Sequence, residues 1–237
     1  LLTGNEVGAM LLDFILSQRL AKGTLPENSV AVKSIVSTSI CDKIAEKYGC
    51  EMRNVLTGFK YIGEQIAILE AEGEENRFVF GFEESYGYLA GGYVRDKDAV
   101  DASLLICEAA NFWKLRGKTL GEALNEIQAK YGYYYDFQDN FYCEGADGAK
   151  RIAKIMSDLR EEAPKAVCGK AVVDAKDYKP DANMIEYTLE GGSSFIVRPS
   201  GTEPKLKIYY SVKAADFESA KAEGEAIKAE VTALLGF

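Results

Sequence analysis

Short apolar runs alternate with stretches of helical periodicity three times before residue 83, and this alternation limits the fold more than any other feature of the chain. Residues 30–36 form a β-branched run, and Ser37-Thr38-Ser39 after it can cap a helix that carries Ile40, Ile44 and Tyr48 on one stripe. Residues 52–56 read as a second strand, Thr57-Gly58-Phe59-Lys60 as a loop, and residues 62–71 as a helix that stops at Glu72-Gly73. Arg77-Phe78-Val79-Phe80-Gly81-Phe82 is a third strand. A helix over about residues 3–20 precedes them, started by the capping box of Thr3 and Glu6. Strands joined through helices require right-handed crossovers and a parallel sheet buried on both faces, which predicts a three-layer, mostly parallel α/β domain. Helices over residues 98–115 and 119–131 complete its cover.

At Gly132-Tyr133-Tyr134-Tyr135-Asp136 helical periodicity gives way to aromatic and polar residues, read as a linker. Beyond it come strands at residues 137–143, 171–175, 184–189, 194–198 and 205–212, with helices at about 148–162 and after the cap Asp216. In the last strand Leu206, Ile208 and Tyr210 alternate with Lys207, Tyr209 and Ser211. The expectation is an α/β domain over residues 1–133 followed by a smaller α+β domain over 134–237, an antiparallel sheet backed by two helices.

Composition excludes several chemistries. The 237 residues contain no His, so Ser-His or Cys-His catalysis and His-ligated zinc are not available within them. Acid-base work falls to carboxylate, Lys, Tyr or Cys. A net charge of −9, from 28 Lys plus Arg against 37 Asp plus Glu, argues against nucleic acid or an anionic membrane surface as partner. The five cysteines at 41, 50, 107, 143 and 168 lack C-x-x-C spacing and read as free thiols of a cytoplasmic protein. No run approaches the ~18 apolar residues of a membrane span. The chain begins with Leu1, already at a helix start, and is expected to be cut from something longer.

In a parallel sheet, ligands collect outside the carboxyl ends of the strands. Three loops should share that edge: Ser37-Thr38-Ser39, Thr57-Gly58-Phe59-Lys60-Tyr61, and Glu83-Glu84-Ser85-Tyr86-Gly87-Tyr88 running on to Arg95-Asp96-Lys97-Asp98. The third combines carboxylates, a hydroxyl and tyrosines suited to sugar hydroxyls, although composition alone fits a solvated turn equally well. Adjacent Glu83 and Glu84 point to opposite sides, so at most one should face a ligand. In the second domain Arg198-Pro199-Ser200-Gly201-Thr202-Glu203-Pro204-Lys205 offers a fork donor, hydroxyls and a glycine-bearing turn, parts for an anion, or an ordinary hairpin turn. Asp96, Asp98 and Asp101 are spaced loosely, and Asp98 is better explained as a helix N-cap, so no metal is assigned.

Taken in order, Thr57-Gly58-Phe59-Lys60, Gly81-Phe82-Glu83-Glu84-Ser85-Tyr86-Gly87-Tyr88, Val94-Arg95-Asp96-Lys97-Asp98 and the segment from Arg198 to Lys205 resemble motifs of the α-D-phosphohexomutases, specifically bacterial phosphoglucomutase/phosphomannomutase. The resemblance implies a four-domain isomerase of carbohydrate metabolism, of which this chain is domains three and four. Such an enzyme moves a phosphoryl group between the 1 and 6 positions of a hexose through a bisphosphate, with Mg2+ and glucose 1,6-bisphosphate as cofactors of the parent. By that resemblance Glu83 and Ser85 hold sugar hydroxyls, and Thr57, Gly58, Phe59 and Lys60 belong to the sugar-specificity loop. Lys97 is the candidate general acid/base, and Arg198, Ser200, Gly201 and Thr202 grip the phosphate that is not transferred. The family's phosphoserine loop pairs Ser with His and its metal loop is a tight acidic triplet; neither is here. The fragment alone is therefore expected to be inactive, to bind no cofactor, and to need the missing N-terminal half and a small hexose phosphate as partners. The alternative is a non-enzymatic sugar-phosphate-binding module.

Overall fold

The computed structural model describes all 237 residues. They divide into two compact units, Leu1–Gly132 and Tyr133–Phe237. The first contains helices α1 (Gly4–Ala21), α2 (Ile40–Tyr48), α3 (Phe59–Ala71), α4 (Ala99–Lys114) and α5 (Leu120–Tyr131), with strands β1 (Val30–Ser34), β2 (Glu51–Val55), β3 (Phe78–Glu83) and β4 (Gly87–Leu89). Strand order is β2-β1-β3-β4. The first three strands are parallel, and β4 returns antiparallel on β3. That last strand was hidden in the sequence because it lies inside the tyrosine- and glycine-rich loop.

Local chemistry sets the helix limits. Thr3 and Glu6 form the expected capping box of α1, Thr119 and Glu122 form another for α5, and Asp98 caps α4 by accepting from Val100 N at 2.8 Å and Asp101 N at 3.1 Å. Gly49 closes α2 at φ 65°.

A register shift between β1 and β3 at Val30/Ala31 decides which rings face which helices. Phe78 joins Ile62, Ile66 and Leu69 of α3 in one buried cluster. Two residues along, Phe80 and Phe82 stack on Tyr88 instead, and Phe82 lies against α1, where Gly8 leaves room for its ring. The sheet is thus covered on both faces, and β1, buried at all five positions, is one of its two interior strands.

The second unit holds β5 (Tyr133–Tyr142), α6 (Gly145–Glu161), β6 (Ala166–Val167), β7 (Lys170–Asp177), β8 (Ile185–Leu189), β9 (Ser194–Pro199), β10 (Lys205–Ala214) and α7 (Phe217–Leu234). All pairings are antiparallel, in the order β5-β10-β9-β8-β7-β6. Leu206, Ile208, Tyr210 and Val212 pack in one core with Ile152, Met156 and Leu159 of α6 and Ile227 and Val231 of α7. Residues 133–136, read as a linker, instead begin β5, pairing with β10 as far as Tyr133 opposite Ala214. Tyr133 thus opens the second unit. The aromatic run that broke helical periodicity is a strand by its β propensity. β6 escaped notice because its turn uses Cys168 and Gly169 at φ 49° and 73°, where Asn-Gly would have announced a tight hairpin. No helix is long and apolar enough to cross a membrane.

Candidate functional site

Parallel pairing of β1, β2 and β3 brings the ends of these strands, Ser34, Val55 and Glu83, to one edge of the first unit. The loops that leave them are bonded together. Gly58 N–H donates to Glu83 Oε1 at 2.6 Å, so the carboxylate at the end of β3 fixes the start of α3. Gly58 sits at φ 121°, open to a glycine and strained for other residues. The next carboxylate goes the other way: Ser34 Oγ donates to Glu84 Oε2 at 3.4 Å, and Ser34 Oγ lies 2.8 Å from Ser37 Oγ. The two adjacent glutamates are divided between two neighbouring loops.

Ser85 and Tyr86 are exposed at the tip of the three-residue β3–β4 connection. The Ser85 hydroxyl makes no hydrogen bond within the protein. Tyr86 holds φ 64°, a left-handed conformation that costs a side-chain-bearing residue about 1–2 kcal/mol. Its hydroxyl donates to Leu2 O at 3.1 Å, and that of Tyr88 donates to Gly4 O at 2.9 Å. Burial raises the Tyr88 phenol well above the ordinary tyrosine range.

Thr57 and Gly58 are half-buried and Lys60 is exposed, its ammonium 4.7 Å from the Tyr61 ring centroid. Phe59 is different: it is 4% exposed and belongs to the α3 core cluster. Its ring lies under Gly87, and Lys97 Nζ sits 5.5 Å from its centroid. The phenylalanine of this motif therefore supports the site from beneath and offers no polar group to a ligand. Lys97 extends beyond it, 54% exposed, with Nζ 2.9 Å from Asp96 Oδ1. That ammonium, together with the Lys97 N–H at 2.8 Å, holds the Asp96 carboxyl below its ordinary range. Ser37 and Thr38 are turned inward at 4% and 2% exposure, so the first loop braces the edge.

Lys33 belongs to none of the motifs legible in the sequence. It is buried near the end of β1, with Nζ 3.2 Å from Asp42 and donating to Ser37 O at 3.3 Å, so it pins the loop carrying Ser37. Only its place near the end of an interior strand could have signalled it.

In the second unit, Arg198 leaves β9 directly opposite Lys207 of β10, and its Nη1 donates to Tyr209 Oη at 3.3 Å. Tyr209 is buried and steadies the fork from the side. Beyond Pro199, Ser200 N–H bonds Lys205 O at 2.9 Å, and Ser200 Oγ accepts from Thr202 N at 3.4 Å and Glu203 N at 3.3 Å. The Gly201 N–H has no partner within the protein. Gly201 has no left-handed φ and nothing would contact a Cβ there, so the fold itself does not demand glycine. Lys205, the last residue of this segment, is occupied by Glu203 at 2.6 Å, and that carboxylate raises its pKa.

No group of three His, Cys, Asp or Glu side chains converges anywhere in the chain. The residues present do not fit a magnesium site, and no chemical step assigned to them passes through one.

A mixed α/β unit with a parallel-rich sheet, followed by an antiparallel α+β unit, is the architecture of phosphohexomutase domains III and IV. Residues 3–131 match the phosphoglucomutase/phosphomannomutase family at its alpha/beta/alpha domain III, and residues 140–231 match its C-terminal domain. The chain belongs to the phosphoglucomutase/phosphomannomutase family. It is 37% identical over 233 residues to a phosphoglucomutase of Staphylococcus haemolyticus and 36% identical over 233 residues to one of Staphylococcus aureus, covering 91% of this chain and 41% of each relative. It therefore spans about two fifths of the length of these curated relatives. Among solved structures, the open form of parafusin, a phosphoglucomutase of Paramecium, superposes with a TM-score of 0.69 at 19% identity, over 98% of this chain and 40% of that one.

Proposed function

We propose that this chain supplies the hexose-binding and phosphate-binding loops of an enzyme that interconverts hexose 1-phosphate and hexose 6-phosphate through a bisphosphate intermediate. The observation that carries the reading is the bond from Gly58 N–H to Glu83 Oε1, which joins two separately recognisable sugar motifs at one strand edge. Around it, Ser85 and Glu83 supply hydrogen-bonding groups for sugar hydroxyls, and Thr57 and Lys60 lie on the adjoining loop. Lys97, its ammonium 5.5 Å from the Phe59 ring centroid, carries a proton to or from the reacting hydroxyl.

In the second unit the phosphate that stays in place meets Arg198, steadied by Tyr209, together with Ser200, Thr202 and the unpartnered N–H of Gly201. A bare Cα at Gly201 lets an anion approach that N–H closely. Binding energy gathered at the stationary phosphate can hold the ester while chemistry proceeds at the other end. The nucleophilic serine, the Mg2+ and glucose 1,6-bisphosphate belong to the parent enzyme, and phosphoryl transfer needs the in-line donor and charge neutralisation they provide. On this reading the 237 residues alone bind substrate and do not turn it over.

Titration calorimetry with glucose 1-phosphate tests it. Arg198→Ala should weaken binding about tenfold to a hundredfold, the worth of a charge-assisted hydrogen bond. Equal affinity in the two proteins would remove the phosphate role.

A further inference from the structure

Helix α4 carries apolar residues on both of its faces. It buries Ala102, Ala109 and Trp113 against the rest of its unit. On the opposite side Val100, Leu104, Cys107, Asn111 and Leu115 recur at helical spacing and form one exposed stripe without a charge. Val100 is 81% exposed, Leu104 60% and Leu115 77%, so three large aliphatic side chains of one row stand in water. Ser103, Glu108 and Lys114 flank them as a polar rim. Neighbouring α5 shows what a solvent-facing side requires, since it turns Glu122, Asn125 and Glu126 outward. Single exposed apolar residues are ordinary, but a contiguous row inside a polar rim marks a docking surface.

Two observations bear on what covers it. The chain spans 41% of the length of its phosphoglucomutase relatives, so a polypeptide with the proposed function has a larger part outside these residues. Leu2 lines one small apolar cavity with Ile106, Ala109 and Trp113, so the backbone ahead of α1 runs alongside α4. We propose that the α4 stripe is the seat of the N-terminal half of the parent enzyme, which packs on it through an uncharged apolar surface. The inference rests on the proposed function for the existence of that half and adds where it attaches. Contact there removes apolar area from water and needs no charge pair. It also has a positional consequence. The stripe starts three residues after Lys97, and Asp98 N–H at the head of α4 donates to Tyr88 O at 2.9 Å, in the strand paired with β3. A body seated on α4 therefore stands beside the edge that carries Glu83, Ser85 and Lys97, where the phosphoryl donor is needed.

Cys107 reports on the seat directly, because it is exposed within the stripe while Cys41 and Cys50 of the same unit are buried. Alkylation with iodoacetamide followed by peptide mass mapping reads each thiol separately. In the full-length chain from the same reading frame Cys107 should react about tenfold more slowly than in the 237-residue chain, with Cys41 and Cys50 unmodified in both. Leu104→Asp places a charge in the seat. It should return Cys107 of the full-length chain to within about twofold of its rate in the 237-residue chain, and leave the melting temperature of the 237-residue chain unaltered. Equal Cys107 rates in the two unaltered chains overturn the seat. Protection that grows with the concentration of the 237-residue chain alone overturns it too, since a second copy is then the occupant. A reading frame that encodes no domain ahead of Leu1 defeats the proposed function itself, and the inference falls with it.

Discussion

Glu83 shows how one side chain can hold a loop and, on the proposed function, face a ligand as well. One carboxylate oxygen accepts the Gly58 N–H at 2.6 Å and holds the start of α3, while the residue stands at the end of β3 where the parallel edge opens. Glu83→Gln keeps an acceptor for Gly58 and should fold with nearly unaltered stability. Glu83→Ala leaves that N–H without its partner and should lose about 1–3 kcal/mol in denaturant unfolding of the chain, less where water reaches the gap. Equal stability of all three proteins would show that the bond does not hold the loop. At this scale the sequence was informative about residue type and weak about direction. It divided Glu83 from Glu84 correctly by strand alternation, but it could not show that Phe59 turns into the core or that Lys205 is taken by Glu203. Both depend on neighbours in space, and nothing in local spacing encodes them.

Among the elements, those with strong caps were the most legible. The capping box at Thr3 and the caps Asp98 and Asp216 lie where their residue types placed them, because the side chain and the backbone it satisfies are within three positions of each other. β4 and β6 were missed because each is short and defined by its partner strand. The same caps give the chain an acid sensitivity of known sign. Backbone N–H donors, first that of Asp101, hold the Asp98 carboxyl below its ordinary value. A depressed carboxylate contributes stability that is complete above the unfolded value of about 3.9 and is lost as pH falls through the folded value. Asp98→Asn still caps α4, yet has no proton to take up. Its melting temperature should match that of the unaltered chain near pH 7 and fall less steeply between pH 5 and pH 2.5. Parallel pH curves for the two proteins would contradict the cap's electrostatic part.

For the whole molecule, the proposed function gives each unit one kind of recognition: neutral hydroxyls and carboxylates at the strand edge of the first, and a fork donor with a free backbone N–H in the turn of the second. The fold class followed from periodicity alone, since the alternation of strands and helices has few packed solutions. The functional reading needed the ordered set of motifs, because each loop by itself fits an ordinary turn. The most direct measurement of the account is a titration of the isotopically labelled chain followed by amide resonances. Inorganic phosphate should shift residues 198–203 of the second unit and leave the first unit still, and glucose 1-phosphate should shift those residues together with 57–60 and 83–88. If glucose 1-phosphate leaves residues 83–88 unmoved, or moves helices α6 and α7 in their place, the assignment of these loops to a hexose phosphate is contradicted.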